Sequence, residues 1–432
     1  MIQQPAFGSE LSGLQVQVEA LRERNQALRE RLQRQRDATE RLSRRVESLE
    51  GKDEALSKEI TGVAARPMEH VVEDAGGPPG ISAMPKVTLM ITGDMGYTSR
   101  FIGGGEAKHE FNWGEHGLFV SGALTDRLSV LVETHFSEHV DLQLLPRHMV
   151  ERAAARYSFS DLVNTTVGLI ETPLGYWNQA FHRANWLHTT IERPDVYEPE
   201  RPEATRGGIL PIHSLGVNLA GALPLEGVDI AYEVGVFNGR KKNRTSDQGF
   251  GDDNDFKAIN TLVSLKPHAL EGFQVGADVY VDKIPSYREV AGGLRAEEID
   301  ELIVGGYGAY VQGGTELLAE VFWIDHDDHA SEQTFLTWAG YLQGSRRLGR
   351  TTPYYRFDFV DLGNGDPYYF DINPVTGAIR KRDPIVDHLV HTVGLRWDVF
   401  SWNALKFEYS YIDNHDHILD EHRLAVNTSY VF

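Results

Sequence analysis

Leu424-Ala425-Val426-Asn427-Thr428-Ser429-Tyr430-Val431-Phe432 closes the chain, and its reading decides the fold. In an extended strand, side chains alternate between two faces. Leu424, Val426, Thr428, Tyr430 and Phe432 then share an apolar-to-aromatic face, while Ala425, Asn427, Ser429 and Val431 share the other. Such a strand separates two unlike media. A soluble sheet could end the same way, so the strands upstream have to discriminate.

They repeat the pattern. In Leu405-Lys406-Phe407-Glu408-Tyr409-Ser410-Tyr411 the apolar and aromatic set occupies one face, and Lys406, Glu408 and Ser410 the other. Arg396 and Asp398 alternate in the same way with Leu395, Trp397 and Val399, as do Asp229 and Glu233 within Val228–Val236. From Lys86 onward, period-two patterning predicts strands near 86–97, 113–122, 127–136, 150–159, 164–171, 207–221, 226–237, 256–266, 272–282, 302–312, 315–325, 333–343, 351–360, 388–399, 403–413 and 421–432. That is an even set of sixteen. Connections alternate between short ones, such as Gly313–Gly314 and Phe400–Trp402, and long ones, such as 172–206, 283–301 and 361–387. A soluble sandwich has no reason to place every long loop at one end. A transmembrane barrel does, with short periplasmic turns, long external loops and both termini in the periplasm. Closure also removes every sheet edge, so no lipid-facing backbone is left unpaired. Trp397, Trp402, Tyr430 and Phe432 lie next to predicted periplasmic turns, where an aromatic girdle belongs. The expected fold is therefore an all-β transmembrane barrel of 16 antiparallel strands over residues 86–432.

Composition agrees. The chain of 432 residues contains no run of 18 apolar residues, which rules out a transmembrane helix but not barrel strands of about 10 residues. Mean hydropathy is −0.35, as a polar lumen and long loops would give. Cys is absent, which suits an exported protein. Met1–Glu10 lacks a charged-then-apolar leader, so an exported form is expected to be mature or to carry an added Met.

Ahead of the barrel, residues 1–63 carry a heptad repeat. Leu11, Val18, Asn25, Leu32, Thr39, Val46, Asp53 and Ile60 form one seam set, and Leu14, Leu21, Leu28, Gln35, Leu42, Leu49, Leu56 and Val63 the other. A 3–4 spacing held this long predicts an N-terminal α-helical coiled coil, roughly 80 Å long at 1.5 Å per residue. Asn25, Gln35 and Thr39 would fix its register. The stretch Arg45-Val46-Glu47-Ser48-Leu49-Glu50 resembles a trimer-specifying motif: Val46 and Leu49 fill the seam, and Arg45 can pair with Glu50 of a neighbouring helix. Residues 64–85, with Gly76-Gly77-Pro78-Pro79-Gly80, read as a linker.

An aromatic last residue resembles the closing strand of bacterial outer-membrane barrels, whose terminal Phe is part of the signal read by the insertion machinery. The whole chain resembles the trimeric outer-membrane porins, above all the phosphate-selective-porin-like group and its members with an N-terminal coiled coil. Val167-Gly168-Leu169-Ile170-Glu171-Thr172-Pro173-Leu174-Gly175 looks like that group's Gly-x-x-Lys-x-Pro-x-Gly strand-to-loop pattern, with Glu171 where Lys is common. No Lys/Arg-rich ladder is present, so the resemblance implies the fold and the homotrimer but not phosphate selectivity.

In trimeric porins the third external loop folds inward. Here that loop, 172–206, carries Glu192, Asp195, Glu198, Glu200 and Glu203 as an expected constriction, with Trp177, Phe181, Trp186 and Tyr197 to pack on the wall. By strand parity Arg127, Arg156, Arg356, Arg396, Lys406 and Arg423 form a basic inner wall opposite it, and such a pair of surfaces would set a transverse field. The alternative is that these charges only solvate a wide lumen and pair with Asp358, Asp398 and Glu408. Residues 1–63 hold equal numbers of acids and bases, so the net charge of −21 lies beyond them and predicts a mild cation preference. His326-Asp327-Asp328-His329 and Asp413–His417 match no tight metal spacing, and neither metal nor cofactor is expected. Gly-x-Ser-x-Gly is absent and no catalytic constellation stands out, so no enzyme activity is expected. The sequence thus predicts a passive diffusion porin of the bacterial outer membrane, surrounded by lipid and lipopolysaccharide, with no nucleic-acid partner. The competing reading is a structural tether, in which the periplasmic coiled coil grips peptidoglycan or another partner.

Overall fold

The computed structural model describes residues 86–103, 105, 107–137, 148–181, 185–198, 208–241, 254–290, 293–369, 386–415 and 419–432. The expected coiled coil with Arg45, Val46, Leu49 and Glu50, and the linker 64–85, lie outside the described residues. So do Glu200 and Glu203.

The strands are β1 (Lys86–Ile102), β2 (Lys108–Asn112), β3 (Glu115–Ala123), β4 (Leu128–Ser137), β5 (His148–Ser160), β6 (Val163–Glu171), β7 (His213–Leu225), β8 (Val228–Asn238) and β9 (Lys257–Pro267). They continue as β10 (Phe273–Val290), β11 (Gly293–Gln312), β12 (Thr315–Asp328), β13 (Gln333–Arg346), β14 (Thr351–Asp361), β15 (His388–Phe400), β16 (Asn403–Asn414) and β17 (Glu421–Val431). β2 and β3 pair with successive halves of β1 and form one interrupted stave, so the sheet is a barrel of sixteen antiparallel staves. β1 and β17 pair from Thr92↔Val431 to Ile102↔Glu421 and close it. Phe432 completes the seam: its N–H donates to the Ile91 carbonyl (2.8 Å) and its own carbonyl accepts from the Ile91 N–H (3.1 Å).

Alternation holds along the walls. In β16, Ala404, Lys406, Glu408, Ser410 and Ile412 are buried inside, while Phe407 and Tyr409 are exposed outside. The outer face carries Val393, Leu395, Trp397, Leu424 and Val426, all exposed. At the short-turn end Phe400 stacks on Trp402 (5.1 Å, 7°), and Phe432 sits 5.7 Å from Trp402 and 5.2 Å from Tyr430.

Residues 98–102 and 108–112, expected between two strands, are themselves paired as the end of β1 and as β2, and two further stretches depart from expectation. Residues 283–301, expected as a long loop, are a hairpin: β10 and β11 stay paired from Phe273↔Tyr310 up to Val290↔Gly293. Charged residues there hide the hydrophobic alternation, whereas backbone pairing does not require it. Residues 208–212, expected within a strand, precede β7. Ile209, Leu210 and Ile212 are buried there instead, with Ile209 and Leu210 in the apolar cluster inside the barrel.

Candidate functional site: the segment folded into the barrel

The connection from β6 to β7 turns inward. Its two ends are stitched together: the Thr172 N–H donates to the Ile212 carbonyl (2.8 Å), and the Asn178 amide donates to the carbonyls of Thr172 (2.9 Å) and Ile212 (3.0 Å). A short helix, α1 (Trp177–Ala180), and a 3-10 turn, Asp195–Tyr197, lie between them. Trp177 stacks on Tyr197 (5.4 Å, 23°), and Tyr197 meets Phe322 of β12 edge-on (5.9 Å). This aromatic stack, with Leu174 and Val196, packs on the inner faces of β10–β13.

An irregular segment inside a barrel must have its backbone groups satisfied. Here wall carboxylates take the N–H groups and wall cations take the carbonyls. Glu320 of β12 accepts from the N–H of Tyr176 and of Trp177 (both 2.8 Å), and from the hydroxyls of Tyr197 and Tyr341 (both 2.7 Å). Asp278 of β10 accepts from Gly175 N–H (3.0 Å), Glu408 of β16 from Ile191 N–H (2.9 Å), and Asp358 of β14 from Asp195 N–H (3.1 Å). Burial pushes the Tyr197 phenol well above its ordinary pKa, and the neighbouring Glu320 adds to that shift.

The cations do the converse. Arg356 donates to the Glu192 carbonyl (2.7 Å) and Thr190 Oγ1 (2.9 Å). Arg396 donates to the carbonyls of Trp186 (2.6 Å) and His188 (2.8 Å). Lys406 reaches the carbonyls of Asn185 and Thr190, the latter at 2.8 Å. Arg423 pairs with the Glu192 carboxylate. On the other side of the seam, Asn185 donates to Asp94 of β1 (2.6 Å) and Arg193 to Glu115 of β3 (3.0 Å).

The structure thus brings Arg356, Arg396, Lys406 and Arg423 together with Glu192 and Asp195. Asp195 also meets His388 (2.9 Å), and Glu198 lies 3.9 Å from Arg193. Arg156 is buried on β5. Arg127 is a correction in its strand position: it sits exposed in the turn between β3 and β4, because β4 begins one residue later at Leu128. Arg356 pairs with Asp358 (2.8 Å), Arg396 with Asp398 (2.7 Å), and Arg423 lies 3.5 Å from Glu408, the pairing expected as the alternative, whereas the arrangement toward the loop differs from the expected opposed surfaces. Those four cations touch the inward segment directly, so they do not face it across solvent. A chain folded into a barrel exposes carbonyls that only donors can satisfy, and the basic wall supplies them. Sequence parity had placed Asp358 and Glu408 inside but gave neither a docking role, and it passed over Glu320, Asp278, Asp94, Glu115 and His388. The available signal was a lone acid at an inward position of an apolar strand, as in Leu317-Leu318-Ala319-Glu320-Val321-Phe322.

Among the described residues, Glu298, Asp300 and His329 bring ligand atoms within 4.8 Å of one another. The Lys283 ammonium already pairs with both carboxylates, 3.1 Å from Asp300, and so takes the cation's place there. His326 of the same sequence cluster faces inward instead, between Glu301 (2.9 Å) and Asp366 (2.6 Å).

No family model matches the chain, and no curated protein matches it in sequence. Solved structures do match in fold. An anion-selective porin from Comamonas acidovorans aligns at 12% identity over 81% of this chain and 100% of its own, with a TM-score of 0.53. The outer membrane channel DcaP of Acinetobacter baumannii aligns at 10% identity over 81% and 97%, with a TM-score of 0.54. Salmonella typhi OmpF, in complex with daunomycin, aligns at 10% identity over 81% and 98%, with a TM-score of 0.52. The chain has the barrel fold of these outer-membrane proteins.

Proposed function

We propose that the chain is an outer-membrane porin that lets small polar or charged solutes diffuse through its barrel, with a mild cation preference. The observation that carries this reading is the β6–β7 segment, which is anchored by charged groups to both sides of the lumen. A barrel that served only as an anchor would need no shaped interior. An outward apolar face ending in an aromatic cluster supports residence in lipid. The net charge of −21 supports the cation preference, because an acidic mouth concentrates cations at low salt. The heptads of residues 1–63, with Arg45 and Glu50 flanking Val46 and Leu49, support a parallel periplasmic coiled coil and hence a homotrimer.

The test is single-channel recording of the purified protein in planar bilayers under a salt gradient. Conductance steps in threes and a reversal potential of cationic sign are expected. A silent protein would move the assignment to a tether acting through residues 1–63, and an anionic reversal potential would remove the cation preference.

A further inference from the structure

Three histidines face outward at the end of the barrel that carries the long connections: His109 on β2, His391 on β15 and His422 on β17. His391 pairs across the ladder with Tyr411, Tyr411 with His422, and His422 with Phe101. These residues therefore form one row around β15, β16, β17 and β1, and His109 joins it 6.0 Å from Phe101. Each imidazole is held by a hydroxyl at Nδ1: His391 by Tyr355 (2.8 Å), His422 by Tyr409 (2.8 Å) and His109 by Ser99 (2.9 Å). A hydroxyl that donates to Nδ1 leaves the proton on Nε2, which becomes a fixed N–H donor.

The height of the row matters. His391 lies nine residues from Phe400, and His422 eight from Tyr430, in the aromatic cluster at the other end. At about 3.4 Å per residue and a tilt near 40°, the two belts are roughly 21–24 Å apart, close to the ~25 Å apolar band of a membrane barrel. Between them the outer face is Val393, Leu395, Leu424 and Val426. The row therefore stands where hydrocarbon ends and headgroups begin. Three of the nearby acids are engaged, since Asp420 accepts from the Tyr411 hydroxyl (2.9 Å), Glu421 lies 3.7 Å from Arg100 and Glu110 lies 3.4 Å from Lys108, and Asp413 stands two residues beyond Tyr411 on the loop side of the row.

We propose that His109, His391 and His422 form a binding surface for the phosphate groups of lipid headgroups. The imidazole Nε2–H groups donate to phosphate oxygens, and Tyr355, Tyr409 and Ser99 act as positioning residues. The inference rests on the outer-membrane reading above.

The test compares the full chain with the triple variant His109→Phe, His391→Phe, His422→Phe, which keeps the aromatic surface and removes the donors. Each is purified in neutral detergent and offered phosphatidylglycerol and the phosphate-free monogalactosyldiacylglycerol with identical chains, and bound lipid is read by native mass spectrometry. The wild type should retain phosphatidylglycerol several-fold over the phosphate-free lipid, and the variant should fall to parity while its bilayer conductance stays unchanged. The double variant Tyr355→Phe, Tyr409→Phe should give an intermediate preference. A wild type without preference, or a triple variant that keeps it, overturns the proposal. So does loss of oligomer in the triple variant with no lipid preference in the wild type, which would assign the row to a neighbouring copy. Failure of both proteins to insert into bilayers overturns the membrane reading itself.

Discussion

Glu320→Gln tests the docking of the inward segment most sharply. Glu320 accepts four hydrogen bonds, two at each carboxylate oxygen: Trp177 N–H and the Tyr341 hydroxyl at Oε1, Tyr176 N–H and the Tyr197 hydroxyl at Oε2. Glutamine keeps the shape, but its amide nitrogen only donates. Whichever way the amide turns, one backbone N–H keeps its acceptor and the other faces an N–H, while the hydroxyl beside it can turn to accept. At about 1–3 kcal/mol per buried donor left unsatisfied, the docked state loses about 1–3 kcal/mol. A loss near 2 kcal/mol shifts docked against undocked by roughly thirtyfold. Detachment of the stretch from Gly175 to Trp177 should widen or destabilise the passage. The expected record is a larger or noisier unit conductance, with a lower melting temperature in detergent. Tyr341→Phe is the control: it removes a bond between two wall strands and leaves the three from the segment, so it should cost about 1 kcal/mol and leave conductance alone. If Glu320→Gln conducted with wild-type amplitude and noise while Tyr341→Phe did not, the reasoning that Glu320 holds the segment would be refuted.

Gly175→Ala should imitate Glu320→Gln: Gly175 has φ +66°, and a Cβ there meets the Tyr197 hydroxyl and Glu320 Oε2; unaltered melting and conductance would contradict this. Arg396→Ala orphans the carbonyls of Trp186 and His188 and should raise channel noise in bilayer recordings, whereas Arg127→Ala, in an exposed turn, should leave conductance and reversal potential unchanged. Deletion of residues 1–70 should preserve unit conductance while the trimer band on a semi-native gel gives way to monomer; a persistent trimer would show that the barrel alone sets the oligomer.

The barrel was legible because closure imposes one rule on every stave, apolar out and anything else in, and Leu424, Val426 and Tyr430 obey it residue by residue. The rule weakens where the apolar outer band ends. β10 and β11 run on beyond the expected limits with Lys283, Glu297, Glu298 and Asp300 in the ladder, so the alternation fades before the pairing does. Inside the barrel, parity identifies which residues face the lumen but not what they meet there. Arg356, Arg396, Lys406 and Arg423 were readable as inward cations, and a net charge of −21 made acidic side chains look like their natural partners. Acids are indeed among their partners, Asp358 for Arg356 (2.8 Å), Asp398 for Arg396 (2.7 Å), Glu192 and Glu408 for Arg423, but Arg356, Arg396 and Lys406 also hold main-chain carbonyls of residues 185–192, groups that every sequence possesses and none advertises. Glu320 and Asp278 are the mirror case, carboxylates spent on main-chain N–H groups of 175–177. Charge on the β10–β17 wall therefore docks an irregular chain, and if the barrel is a porin, only charge left over from that task acts on a solute. Substitutions of the docking residues should accordingly change channel size and noise together with selectivity, whereas a pure selectivity residue would shift the reversal potential alone.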